Sequence, residues 1–238
     1  MYKDDYILPS FMYSASFWMR DITNAKENIL SVDEIEKFNN NLRPRITSLY
    51  DLYNEEDTIA SKTLIDLIQS YELFNKDMFD SSGQLLLNNY FKEIIRNLNL
   101  NKIKNHTTIE YGISIKKTSV RSFPVDDPIF SSFEHSKINN FDRFQQTSCL
   151  PFEPVLVLHR SRDKKWYFVK LYNYFGWIKS TDIALSQDKT QIFDYSRSKD
   201  FLMVIAKETN LTINGKDSTQ VTIKCEMGTR ICLLKHNG

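Results

Sequence analysis

A chain of 238 residues can hold one large domain or two to three small ones, and 41% hydrophobic with 26% charged residues is the composition of a folded globular protein, not of a disordered one. The formal net charge of +1, with lysines scattered among acids, gives no electrostatic footprint for nucleic acid, and no apolar run reaches the length of a transmembrane segment. Three cysteines, Cys149, Cys225 and Cys232, cannot make a disulfide framework, because an odd count leaves at least one thiol free.

The N-terminus is acidic and aromatic (MYKDDYILPSFMYSASFWM), without the basic and apolar regions of a signal peptide, so none is visible in this chain. Residues 1 to about 30 show no clean period and read as an irregular packed segment. Ser31-Val32-Asp33-Glu34 then forms a capping box, followed by Ile35, Phe38 and Leu42 on one helical face, with Pro44 as the stop. A second helix is predicted from near Ser61 to Tyr71, with Leu64, Leu67, Ile68 and Tyr71 on one face. A third carries Leu86, Tyr90, Ile94 and Leu98 and fades in the Asn-rich stretch up to Asn105. Each has one apolar stripe to bury, against the other helices or against a sheet.

From Thr107 the period changes. Ile109, Tyr111, Ile113 and Ile115 alternate as in a half-buried strand. Thr118 to Pro128 reads as a loop punctuated by Phe123-Pro124 and Asp127-Pro128, and Phe133 to Asn140 as a polar exposed loop. Val155 to Leu158 is too short for a helix; the charged Arg160 to Lys164 makes a hairpin loop before Trp166-Tyr167-Phe168-Val169. A turn at Tyr172 to Phe175 leads into Gly176-Trp177-Ile178, where the glycine marks a bulge or a close backbone approach. Such closely spaced short strands predict a small β-barrel. Tyr167, Val169 and Leu171 share one face, and Trp166 and Phe168 the other, so some aromatics must lie outside the barrel, under the helices or in a ligand groove. After Ala184, Ser186 to Thr190 reads as a polar linker, Phe201 to Ile205 as a strand, Asn214-Gly215 as a hairpin turn and Val221 to Ile223 as the partner strand.

Little in the chain suggests catalysis. None of the cysteines sits at a helix start beside a base, so all three read as buried structural thiols. The histidines (His106, His135, His159, His236) lack a nucleophile elbow or a spaced acid. Cys225, Cys232 and His236 match no zinc spacing, and Asp126 and Asp127 before Pro128 read as turn carboxylates. With no phosphate loop or dinucleotide fingerprint, the expectation is no catalytic residue, no metal and no cofactor.

The order Arg121-x-x-Pro124, Phe141-Asp142-Arg143-Phe144-Gln145, Pro154 to His159-x-Ser161-x-Asp163-x-x-Trp166-Tyr167-Phe168-Val169 and Gly176-Trp177-Ile178 resembles the first bacterial SH3-type domain of NlpC-family cell-wall cysteine peptidases. Ile29 to Asn39 resembles the start of that family's helical stabilising segment, and Met227 to Leu234 the opening half of its second SH3-type domain. The resemblance implies an α+β chain: a helical segment at 1–106 packed on an SH3-like barrel at 107–185, then a partial second SH3-type unit at 186–238. The family's Asp-Cys-Ser-Gly nucleophile motif is absent from these 238 residues. What is implied is therefore a non-catalytic region of a peptidoglycan endopeptidase of the γ-D-glutamyl-diamino acid cleaving type, extracellular or in the cell envelope. Its partners would be the stem peptide and a C-terminal peptidase domain lying outside these residues. A stand-alone SH3-like interaction or inhibitor protein is the alternative. In the family an aromatic just before Gly-Trp and an acid from the barrel loops recognise the free amino end of the stem peptide. Tyr174 matches the aromatic; Asp142 and Glu153 both fit the acid, and spacing does not choose between them.

Overall fold

The computed structural model describes residues 9–74, 76–132, 141–214 and 220–233. The predicted loop at 133–140, Gly215 of the predicted turn, and His135 and His236 lie outside them. The chain divides into two compact units, Met1–Thr47 and Ser48–Gly238.

In the first unit a short helix α1 (Ala15–Met19) and a longer one α2 (Val32–Leu42) are each preceded by a serine cap. Ser14 Oγ accepts from the Ser16 amide, and the Trp18 indole donates to the Met12 carbonyl at 2.7 Å. Before α2 the capping box forms as the sequence predicts: the Ser31 amide donates to Glu34 Oε2 at 2.8 Å, and the Glu34 amide to Ser31 Oγ at 3.3 Å. These bonds hold the Glu34 carboxyl below its usual range.

The second unit begins with β1 (Thr58–Ala60), α3 (Ser61–Gln69), α4 (Asn88–Asn97) and β2 (His106–Thr108). There follow β3 (Glu110–Ser114), β4 (Thr118–Arg121), β5 (Gln145–Cys149), β6 (Pro154–Arg160), β7 (Trp166–Lys170), β8 (Phe175–Lys179) and β9 (Ile183–Ser186). These seven form one antiparallel sheet in the order β5-β4-β8-β7-β6-β3-β9. Cys149 on one edge strand and Ile183 on the other lie in the same apolar cluster, with Val120, Val155, Val157, Tyr167, Val169 and Ile178. The sheet therefore curls around its own concave face, which is the barrel-like core.

The convex face is covered by helices. Leu156, Leu158, Trp166, Phe168 and Trp177 pack with Leu64 and Ile68 of α3 and with Ile94 and Leu98 at the end of α4. This explains why Val155 to Leu158 is apolar without alternation: every residue is covered on one face or the other. The two aromatic faces of β7 divide as the period-2 pattern requires, and the outward pair lies under the helices.

Thr118 to Arg121 is a strand, not the start of a loop. Val120 points into the concave core, and the charged Arg121 is buried. Gly176 is a close approach without a bulge: a Cβ there would meet Val120 Cγ1 at 2.7 Å and the Arg121 carbonyl at 2.8 Å.

Beyond β9, the stretch read as a linker caps a helix. Asp188 accepts from the Thr190 amide at 2.9 Å and starts α5 (Lys189–Arg197), whose Ile192 and Phe193 join the helix-covered core beside Tyr53 and Tyr111. Two buried apolar residues in nine give too short a stripe to show a period. Four short strands close the chain: β10 (Phe201–Met203), β11 (Glu208–Asn214), β12 (Gln220–Glu226) and β13 (Arg230–Cys232). The expected pairing of Phe201–Ile205 with Val221–Ile223 is corrected here. β10 pairs with β13, and the partner of β12 is β11, with Leu211 opposite Ile223. Their small core of Val204, Ile223 and Cys225 is completed by Phe152, which reaches over from the turn before β6 with a left-handed backbone (φ 70°). Arg230 donates to the Ser196 and Ser198 carbonyls at the end of α5, which ties the closing strands to that helix.

Candidate functional site

The three residues singled out by the resemblance fall at different places. Asp142 precedes β5 and is held from three directions. Its Oδ2 takes Arg121 Nη1 at 2.6 Å, and its Oδ1 accepts the Ile129 amide at 3.2 Å and the Phe144 amide at 3.0 Å. Arg121 in turn donates Nη2 to the Asp127 carbonyl at 3.0 Å. The carboxylate thus fastens the segment after β4 to the start of β5, and its oxygens are largely committed to the protein.

Tyr174 sits in the tight turn between β7 and β8, closed by the Leu171 amide donating to the Tyr174 carbonyl at 2.7 Å. Its half-buried ring packs on the concave core, and its hydroxyl reaches Gln146 Oε1 at 3.5 Å. Gln146 and Asp142 line one wall of a cleft of about 400 Å3. The opposite wall is the turn after α3: Tyr71, whose hydroxyl donates to the Phe175 carbonyl at 2.6 Å, then Glu72 and Phe74, which lies 5.3 Å beneath the Arg143 guanidinium. Burial pushes the Tyr71 hydroxyl up, so it remains a donor. Asp142 thus lines the cleft, whereas Tyr174 is not among its lining residues and touches it only through the contact of its hydroxyl with Gln146.

Glu153 belongs elsewhere. It lines a cavity of about 150 Å3 with Pro151, Phe152 and Arg230, between the sheet and the closing strands. Its Oε2 accepts the Leu150 amide at 3.0 Å, and burial raises its carboxyl above the ordinary range. An acid raised in the folded state binds its proton more tightly there than in the unfolded chain, so stability falls as pH rises through that titration. Glu153→Gln is therefore expected to flatten this part of the profile. Urea midpoints of variant and wild type should converge in the acid range and separate near neutral pH, with the variant the more stable. A constant difference at all pH values would refute the assignment.

All three cysteines are buried and free. Burial, and then the nearby Glu153 charge, push the Cys149 thiol up, the opposite of what a nucleophilic thiolate needs. Among the described residues no group of three or more His, Cys, Asp or Glu is placed to hold a metal, and no helix is long and apolar enough to cross a membrane. Gln146, Tyr71 and Glu72 are among the cleft residues that sequence reasoning misses. Tyr71 appears in the sequence as part of a helix stripe, and nothing local marks the turn after that helix as facing β5.

A curled antiparallel sheet of this order, with a tight turn before Gly176-Trp177, is an SH3-type arrangement. Residues 128–179 match the family model of an SH3 domain of the SH3b1 type, so the chain carries such a domain. The fold as a whole is similar to the solved structure of a novel NlpC/P60 endopeptidase from Photobacterium damselae subsp. piscicida, with a TM-score of 0.64 and 21% identity over 88% of this chain. The chain spans about half of that protein, 48% of its length. No curated protein matches it.

Proposed function

We propose that this chain is the non-catalytic, wall-binding part of a peptidoglycan endopeptidase, which positions a stem peptide beside a peptidase domain. The observation that carries the reading is that Asp142 and Gln146, which line one cleft, and Tyr174, whose hydroxyl reaches Gln146 Oε1 at 3.5 Å, all fall within the SH3b1-type segment 128–179. The fold likeness to about half of an NlpC/P60 endopeptidase supports the same reading. On this view residues 1–106 are a stabilising segment, 107–185 the first SH3-type domain and 186–238 part of a second, and the protein works outside the cell or in its envelope. The tyrosine walls in the first side chain of the peptide and a carboxylate takes its free ammonium group. Asp142 is the acid at the cleft; Glu153 faces another cavity and is not used.

Binding is tested by sedimenting the chain with insoluble peptidoglycan. Retention in the pellet is expected, without release of L-Ala-D-Glu. A chain that stays in the supernatant would sink the wall-binding reading, and dipeptide release lost on mutating Cys149 would sink the non-catalytic one. Fused to an active peptidase domain, Tyr174→Ala should weaken turnover of peptides with a free N-terminal L-Ala and leave N-acetylated ones as poor as before. An unchanged preference would reduce the cleft to a scaffold.

A further inference from the structure

A second, larger cleft of about 700 Å3 shares no lining residue with the one beside Tyr174. It runs between the C-terminal half of α4, the loop at Pro124 to Asp126, and the hairpin joining β6 to β7. Asn97 fixes all three walls. Its Nδ2 donates to the Pro124 carbonyl at 3.1 Å, its Oδ1 accepts the Asp163 amide at 3.1 Å, and its own carbonyl accepts the Arg162 amide at 3.0 Å. The cleft is therefore preformed, and its volume is in the range of peptide and small-molecule sites.

Its hydrogen-bonding capacity is unequally spent. The acids are engaged: Glu93 with Arg96 at 3.5 Å, Asp126 with Lys179 at 2.7 Å, and Asp163 with the Ser161 hydroxyl at 2.6 Å and the Lys165 amide at 3.0 Å. The donors are not. Among the described residues nothing engages the Arg162 guanidinium, the Lys165 ammonium or the Trp166 indole N–H, and the buried Tyr90 hydroxyl has only the Asp127 carboxylate beside it. Burial, and next the nearby Asp127 charge, push the Tyr90 hydroxyl up and keep it a donor. Such a surface is complementary to a ligand rich in acceptors and negatively charged. The three wall carboxylates oppose a dense dianion, whereas a single carboxylate satisfies a guanidinium fork with one charge.

We propose that this cleft binds an acidic peptide through its carboxylates, with Arg162 and Lys165 as the recognising cations and Asn97 as the residue that holds the walls in place. The inference does not depend on the function proposed for the Tyr174 cleft.

The test is a titration of the full chain with tetraglutamate, with the matched tetraglutamine peptide and with tripolyphosphate, read from the Trp166 indole resonance and the Asn97 and Arg162 amides. Tetraglutamate is expected to shift these signals and tetraglutamine to leave them unmoved, with affinity falling as salt is added. Arg162→Gln with Lys165→Gln should weaken binding by about tenfold or more without moving the thermal midpoint, since both side chains are exposed. Tyr174→Ala should bind as the wild type does, which separates this cleft from the other. Silence with tetraglutamate, an equal response to tetraglutamine, or binding that survives the double substitution would overturn the proposal. Binding of tripolyphosphate alone would overturn the carboxylate assignment.

Discussion

Replacing Trp177 with alanine is expected to cost about 3–5 kcal/mol of stability, a large part of what a domain of this size possesses. The indole is fully buried on the helix-covered face of β8, 5.3 Å from the Phe168 ring and 6.2 Å from His159, in the cluster that also holds Leu64, Ile68 and Ile94. Alanine would leave a cavity walled on one side by the sheet and on the other by α3 and α4, neither of which can close it without disturbing the other. Because the site is shared by both layers, helices and sheet should unfold in one transition: the urea midpoint falls while the slope is unchanged. Trp177→Phe is the control. It keeps most of the apolar surface and removes an indole N–H that has no partner among the described residues, so it should cost less than about 1.5 kcal/mol. A loss of under about 1 kcal/mol for alanine, or a separate transition for residues 48–105, would refute the shared core.

The second large effect concerns charge. Arg121→Met is expected to destabilise by about 3–5 kcal/mol, although it removes a polar group from a buried position. Arg121 and Asp142 are paired at 2.6 Å with side chains 6% and 18% exposed, so methionine would leave a largely desolvated carboxylate facing apolar surroundings. Removing both charges is predicted to be milder than removing one. In Arg121→Met with Asp142→Asn, the asparagine oxygen still accepts the Ile129 and Phe144 amides and no charge is stranded. The double-mutant cycle measures this directly: a double variant less stable than Arg121→Met alone would mean that Asp142 acts mainly through its amide bonds. The pair also bears on function. Asp142 borders the Tyr174 cleft while carrying structure, so its replacement affects binding and folding together, and Tyr174 is the cleaner probe of the site.

Much of the architecture is legible along the chain because it rests on local chemistry. The Ser31–Glu34 box acts within four residues, and it forms as read. The stripes of α3 and α4 and the alternation of β7 state which faces must be buried, and the burial follows. Gly176 announces a close backbone approach, which proves to be with β4. These signals survive because each depends on period or capping, not on what lies opposite.

Tertiary structure decided the rest. The prolines after β4 make its stretch read as a loop, and only the pairing of Arg121 with Asp142, 21 residues away, lets that charge be buried in a strand. The helix α5 owes its place to Ile192 and Phe193, which join the core where Phe193 meets Tyr53 and Tyr111, not to a stripe of its own. Asp142 and Glu153 are equal candidates in sequence. Only the curl of the sheet sends one to the Tyr174 cleft and the other to the cavity by Arg230. The larger cleft has no signature at all: Asn97, Pro124 and Arg162 meet because a helix end, a loop and a hairpin are packed on one sheet face. Long-range pairings of this kind leave no period in the sequence, because the energy that fixes them is released only when distant surfaces are desolvated together.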